Sequence, residues 1–222
     1  MAAPMRPNLP PREMMTKPDA DDPIDYYYRP LTATLYRARL RDALVLLGDE
    51  RFGSLLEIGY GSGVFLPELA RRTNRLVGID VHSGRDGVAE MASRLDLDVE
   101  LVDASLFDLP FEDGTFDALV CLSVLEHLTD LDAALRELRR VVRPGGRLVL
   151  GVPVRNVATN SFFRLVGYDP KEIHPSSHRD VEAAIERSAL TREERLHFPR
   201  YPRVPVLDCR GYEPPPPETK AS

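Results

Sequence analysis

The run FDALVCLS, residues 116–123, is apolar at almost every position instead of every second or every third and fourth. A strand of that kind has both of its faces covered, which happens in a parallel sheet flanked by helices. The surrounding sequence alternates accordingly. Residues 35–47 (LYRARLRDALVLL) carry helical apolar spacing, SLLEI reads as a strand, VFLPELARRT as a helix, RLVGID as a strand, RDGVAEMASRL as a helix and DVELVD as a strand. After FDALVCLS the spacing predicts a helix entered through a capping box of Thr129 and Asp132, with Leu131, Ala134, Leu135, Leu138, Val141 and Val142 as its apolar stripe. RPGG, residues 143–146, ends that helix, and RLVLGV makes a fifth strand. Alternation of this type implies right-handed crossovers and an α/β doubly wound sheet, whose ligands bind beyond the carboxyl ends of the strands.

A chain of 222 residues can bury a core of its own, hiding roughly 70% of the surface that it exposes when unfolded. Residues 1–24, rich in Pro and Asp and without periodicity, are expected to form a disordered or loosely docked arm. Residues 25–212 form the domain, and the Pro-rich tail 213–222 reads as extended. The net charge of −6 disfavours nucleic acid, whose binders usually carry a basic patch. The basic residues are almost all arginine, with only Lys17, Lys171 and Lys220 as lysines, which reads as a compositional bias before it reads as phosphate recognition. Cys121 and Cys209 lack metal-like spacing, and no His, Asp and Glu cluster has ligand spacing, so no metal is expected. Prolines interrupt the N-terminus where a signal peptide needs an apolar segment, and no apolar run approaches the ~20 residues of a membrane span. A cytoplasmic protein with no membrane span is the expectation, and oligomeric state leaves no signal.

The strand ends carry the chemistry. SLLEI carries Glu57 at its end, next to Ile58, and is followed by Gly59, Gly61 and Gly63, a turn whose backbone a ligand can approach without meeting a Cβ. The dinucleotide fingerprint G-x-G-x-x-G fails here, because its last position is Val64, and no lysine follows as a triphosphate loop requires. An acid beside the turn suits a ligand with positive charge better than a pyrophosphate. The second strand ends at Asp80, 21 residues after Gly59, where a carboxylate can accept from both hydroxyls of a ribose. The third ends at Asp103, which can accept from an exocyclic amine. Singly, each Asp serves equally well as a helix cap, but acids at successive strand ends seldom arise by chance.

In LLEIGYGSGVF, LVGID, LVDASLFDLPFEDGTFDALVCLSVLEHL and LRRVVRPGGRLVLGVP the sequence resembles the class I S-adenosylmethionine-dependent methyltransferases, in particular the small-molecule group with a type 11-like domain. The likeness covers about residues 54–153, with 154–176 as the acceptor-side cover. It implies a Rossmann-like, seven-stranded, mostly parallel sheet with a C-terminal antiparallel strand, LTREERLHFPRY and RVPVLDCRGY being its last strands after a helix capped by Ser177 and Asp180. It further implies that Gly59, Gly61 and Gly63 line the methionine part of S-adenosylmethionine, with Glu57 orienting its amino group. Asp80 would hold the ribose, Val81 would pack on the adenine, and Asp103 with the backbone of Ala104 and Ser105 would read the adenine edge. Leu122 and Ser123 would approach the methionine moiety.

The implied activity is methyl transfer to a small or medium-sized acceptor, such as a metabolite, sugar, lipid or natural-product intermediate, leaving S-adenosylhomocysteine. In-line displacement draws much of its rate from alignment, and a base is needed only for an acceptor that is protonated at neutral pH. His127, His174 and His178 are the candidates. Each has a plain alternative, His127 and His178 as residues at helix starts. Phe162, Phe163, Leu165 and Val166 form either a lid or a packed connector. Tyr26, Tyr27 and Tyr28 either anchor the arm or touch the cofactor. A catalytically silent cofactor-binding partner and a nicotinamide-dependent oxidoreductase are the rival readings.

Overall fold

The computed structural model describes residues 7–20, 22–152, 175–188, 190–197 and 205–210. Its sheet is the expected doubly wound, Rossmann-like one. Strands β1 (Phe52–Ile58), β2 (Thr73–Asp80), β3 (Val99–Asp103), β4 (Phe116–Leu122) and β5 (Val142–Gly151) run parallel in the order β3-β2-β1-β4-β5. Beyond β5 the backbone continues as β6 (Thr191–His197) and β7 (Pro205–Arg210), with β7 antiparallel to both β5 and β6. The order reverses between β1 and β4, and sheets of this kind bind their ligands at the carboxyl ends of the strands flanking that reversal.

The apolar run that opened the sequence reading is buried on both sides: Ala118, Leu119, Val120 and Cys121 are all 0% exposed. Leu119 and Cys121 join the layer under α4 (Leu131–Val141) and α5 (His178–Arg187). Ala118 and Val120 join the opposite layer, under α1 (Pro30–Leu47), α2 (Leu66–Ala70) and α3 (Arg85–Arg94). Leu56 and Leu55 of β1 split between the layers in the same way. Alternation of side chains along each strand therefore sorts one continuous apolar sequence into two cores.

Several local expectations change. Helix α1 starts at Pro30, because proline at the first helical position loses no hydrogen bond and is already set to a helical φ. Helix α2 covers only Leu66–Ala70, since the glycine turn runs on to Phe65. The cap of α4 is Asp130, whose carboxylate accepts the Ala133 amide at 2.9 Å, in place of a Thr129–Asp132 box. Thr129 lies one residue too early for its side chain to meet the third helical amide. Asp132 pairs with Arg187 of α5 at 2.9 Å. RPGG does not separate helix from strand: β5 begins at Val142, directly after α4, and residues 143–146 bulge from the ladder, because Phe116 pairs with Val142 but Ala118 with Arg147. The stripe of α4 stands as expected for Leu131, Ala134, Leu135, Leu138 and Val141, whereas Val142, equally buried, belongs to β5; the Ser177–Asp180 capping box of α5 is present.

The arm is docked over residues 7–20 and 22–24. Met15 and Ile24 are 5% and 0% exposed within the α1–α3 layer. The Asn8 amide donates to Glu68 at 2.8 Å, Arg12 pairs with Asp25 at 2.8 Å, and the Tyr28 hydroxyl donates to the Pro10 carbonyl at 2.6 Å. A proline-rich segment has little backbone freedom to lose, so two apolar anchors and a few hydrogen bonds hold it. Residues 1–6 and the tail 213–222 lie outside the described residues. No helix among the described residues is long and apolar enough to cross a membrane.

Candidate functional site

Glycines 59, 61 and 63 all have positive φ, at 76°, 51° and 75°. The bare faces they leave are filled by the protein itself. A Cβ on Gly59 would lie 2.3 Å from Val124 Cγ2, and one on Gly61 would lie 3.0 Å from the Asp22 carboxylate of the arm. One on Gly63 would lie 2.7 Å from Val88 and 2.9 Å from Met91 of α3, so this glycine lets α3 pack closely on the turn. The bare backbone of the turn thus also admits close approach by neighbouring elements of the protein.

Behind the turn lies a buried charge centre. Glu57, the last residue but one of β1, is only 6% exposed, and its Oε2 has no hydrogen-bond partner. Burial, reinforced by the Asp80 charge, pushes its carboxyl well above the usual carboxylate range, against the pull of Arg39. The Arg39 guanidinium, from α1, donates to the Tyr27 hydroxyl through Nε at 2.9 Å and through Nη2, and to Ser123 Oγ through Nη1 at 2.6 Å. Ser123 follows β4 in a left-handed conformation, φ 60°, its amide bound to the Gly151 carbonyl at 2.7 Å. Such strain in a non-glycine residue is concentrated at functional sites. Leu122, half-buried, stands beside it and packs on Gly151. Glu126, 2% exposed, also has an unpartnered Oε2, and burial pushes it up to about 7.

At the end of β2, Asp80 Oδ2 accepts the Gly61 amide at 2.8 Å and Oδ1 accepts the Val81 amide at 2.7 Å. A carboxylate has about four lone-pair directions, so both oxygens retain capacity for a ligand hydroxyl. His82 Nδ1 accepts the Gly84 amide at 2.9 Å, which leaves Nε2 protonated and donating to the Gly61 carbonyl at 2.8 Å. The imidazole thus ties the start of α3 to the glycine turn. Val81 is 78% exposed and Phe107 46%, and these two large apolar residues follow the neighbouring strands β2 and β3. The Tyr60 hydroxyl is buried without a partner. Asp103 faces Arg85 at 3.4 Å in an exposed pair. The Ala104 amide, expected at an adenine edge, is already given to the Asp80 carbonyl at 3.2 Å, and Ser105 Oγ accepts the Phe107 amide at 3.2 Å.

Of the candidate bases, His127, itself exposed, ends a 3-10 turn whose Leu125 and Glu126 are buried, and His178 is the first residue of α5, whose entry is tied to that turn by the Ser176 amide donating to the Glu126 carbonyl at 3.1 Å; His174 lies outside the described residues, as does the Phe162–Val166 segment. Of the three tyrosines, Tyr28 anchors the arm, Tyr26 stacks on Tyr36 at 5.2 Å, and Tyr27 holds Arg39. Arg39, Glu126, Asp22 and His82 escaped the sequence reading. Arg39 alternates with other arginines along α1, where it reads as part of a solvated face. Glu126 was overshadowed by its neighbour His127. Among the described residues no group of three or more His, Cys, Asp or Glu side chains is placed to hold a metal.

An acid next to the end of β1, a tight glycine turn, a carboxylate ending β2 and an exposed apolar step after it lie together at the switch point of this sheet, as the resemblance to class I S-adenosylmethionine-dependent methyltransferases implies. Residues 56–150 match the family model described as a methyltransferase domain, and the chain carries that domain. An uncharacterized 37.1 kDa protein in transposon TN4556 of Streptomyces fradiae is 38% identical over 180 residues, 78% of this chain and 48% of its own length. A ubiquinone biosynthesis O-methyltransferase of Alkalilimnicola ehrlichii is 29% identical over 151 residues, 67% of this chain and 61% of its own. The chain thus spans about half to three-fifths of these curated relatives. In fold it is similar to the N-methyltransferase NodS of Bradyrhizobium japonicum WM9, solved in complex with S-adenosylhomocysteine, at TM-score 0.66 and 22% identity over 89% of this chain and 95% of that one.

Proposed function

We propose that this chain transfers a methyl group from S-adenosylmethionine to a small or medium-sized acceptor by in-line displacement. The observation that carries the reading is the unpartnered, buried Oε2 of Glu57 with the buried Arg39 guanidinium in electrostatic reach. A carboxylate and a guanidinium facing one pocket complement the ammonium and carboxylate of an amino-acid head group. Bound S-adenosylmethionine supplies an electrophilic methyl on a sulfonium. Glu57 takes the ammonium, Arg39, steadied by Tyr27 and Ser123, takes the carboxylate, and Asp80 accepts from the ribose. Val81 and Phe107 offer apolar surface to the adenine, with Asp103 at its rim. The orphaned Oε2 of Glu57 fits that group, since it gains in the ammonium a partner of matching chemistry.

Alignment of sulfonium and acceptor then supplies much of the rate. The O-methyltransferase among the relatives puts hydroxyl acceptors first. For these His127 or His178 is the candidate to remove the proton, with His174 as a third. The test is to incubate the purified protein with S-adenosylmethionine and a panel of hydroxyl-bearing metabolites, and to read S-adenosylhomocysteine and methylated product together by mass spectrometry. Acceptor-dependent formation of both supports the reading. Cofactor binding without turnover across hydroxyl, amine and carbon acceptors would point instead to a catalytically silent binding partner.

A further inference from the structure

Glu57 and Glu126 are two buried carboxyls, each in electrostatic reach of the Arg39 guanidinium, and fully ionised the three groups would leave an excess negative charge. Glu57 and Glu126 each have an Oε2 closed to solvent and unpartnered, while Arg39 feels both but spends its hydrogen bonds on Tyr27 and Ser123. The groups facing this centre do not relieve it. Asp80 on β2 adds negative charge at Glu57; the Tyr27 phenol and the Cys121 thiol, both pushed up by burial, are neutral. Asp22 of the arm lies against the turn and is raised by burial, and His82 stands 3.6 Å from Asp80 Oδ2, with His127 next to Glu126 in the chain. An uncompensated buried carboxylate is costly, and such a group keeps its proton instead.

We infer that cofactor capture is proton-linked: Glu57 and Glu126, the two buried carboxyls around Arg39, carry protons in the free protein, and one of these protons is given to solvent when the sulfonium cofactor binds. This rests on the S-adenosylmethionine reading above. Burial raises both carboxylic acids, Glu126 to about 7, so at mildly acidic pH the protons are in place. The head group is zwitterionic in both S-adenosylmethionine and S-adenosylhomocysteine, and in either case exchanges one pairing for another without changing the net charge of the pocket. Only the sulfonium brings an additional positive charge. One protonated carboxyl then loses its proton to water, and the pocket returns to balance with no bond other than O–H broken.

The test is calorimetric titration of the full chain at pH 6.5 with S-adenosylmethionine and, separately, S-adenosylhomocysteine, in buffers of widely different ionisation enthalpy. The observed enthalpy for S-adenosylmethionine is expected to vary with the buffer as release of about one proton requires, with a clearly smaller slope for S-adenosylhomocysteine. Affinity for S-adenosylmethionine should rise by up to about tenfold per unit between pH 5.5 and 6.5. Glu126→Gln should lower the slope, whereas Asp22→Asn should keep it. A buffer-independent enthalpy for S-adenosylmethionine, or equal slopes for the two ligands, overturns the inference. So does a slope lost in Asp22→Asn and retained in Glu126→Gln, which would place the proton on the arm. If Glu126→Gln fails to fold, the difference between the two ligands in the wild type decides. Failure of both to bind removes the cofactor reading itself, and this inference with it.

Discussion

At Glu126 burial becomes a pH effect on stability whose sign follows from linkage. Its folded pKa is pushed up to about 7, while an unfolded chain would place it near ~4.3. The folded state therefore holds a proton that the unfolded state has already lost, so stability falls as pH rises between those values and is level above. Glu126→Gln removes this dependence. The variant should gain up to about 3 kcal/mol over wild type at pH 8 and lose that advantage near pH 4.5, as read from urea unfolding at both. A difference that does not change with pH would contradict the buried, proton-holding carboxyl. Gly59→Ala combines a φ of 76° with a Cβ 2.3 Å from Val124. It should cost about 1–3 kcal/mol and displace the loop after β4, lowering both the thermal midpoint and cofactor affinity. At this scale the sequence revealed Glu57 and Asp80, because they lie at strand ends beside a glycine turn. It concealed Arg39 and its partnership with Tyr27, because that partnership crosses from the chain before α1 into α1 and on to Ser123, and no local spacing encodes that.

Among the elements, the arm has the most to add. Thr16, Pro18 and Asp22 pass over Gly87, Gly84 and Gly61 in turn, and a Cβ on Gly84 would meet the Pro18 backbone at 2.6 Å. Since φ at Gly84 is −84°, alanine there introduces no backbone strain, only a collision with the arm. Gly84→Ala should leave the sheet intact by circular dichroism while making residues 7–24 more open to limited proteolysis. Cofactor affinity should fall several-fold, because the Asp22 carboxylate that accepts the Ser62 amide at 3.1 Å is drawn away with the arm. Unchanged proteolysis would show that the arm does not depend on this contact. The strands and α4 were legible because their apolar periodicity is dictated by two-sided or one-sided burial. The early start of β5, the bulge at 143–146 and the short α2 were not, because Gly and Pro mark a break in regular structure without saying whether it is a turn, a bulge or a helix end.

For the whole molecule, one topological fact places every candidate contact: the strand order reverses between β1 and β4, so Glu57, Asp80, Ser123 and the glycine turn share one end of the sheet. The sequence carried this through strand and helix alternation alone, whereas the docking of the arm depends on a few anchors such as Met15 and Ile24 within a stretch that otherwise looks unstructured. The most direct measurement is equilibrium binding of S-adenosylmethionine, S-adenosylhomocysteine and NAD to the wild type and to Asp80→Ala. The account predicts saturable binding of both sulfur ligands, none of NAD, and at least a tenfold loss in the variant, about 1.4 kcal/mol for a lost charge-assisted contact. Binding of NAD in place of the sulfur ligands, or sulfur-ligand binding unaltered by Asp80→Ala, would contradict it.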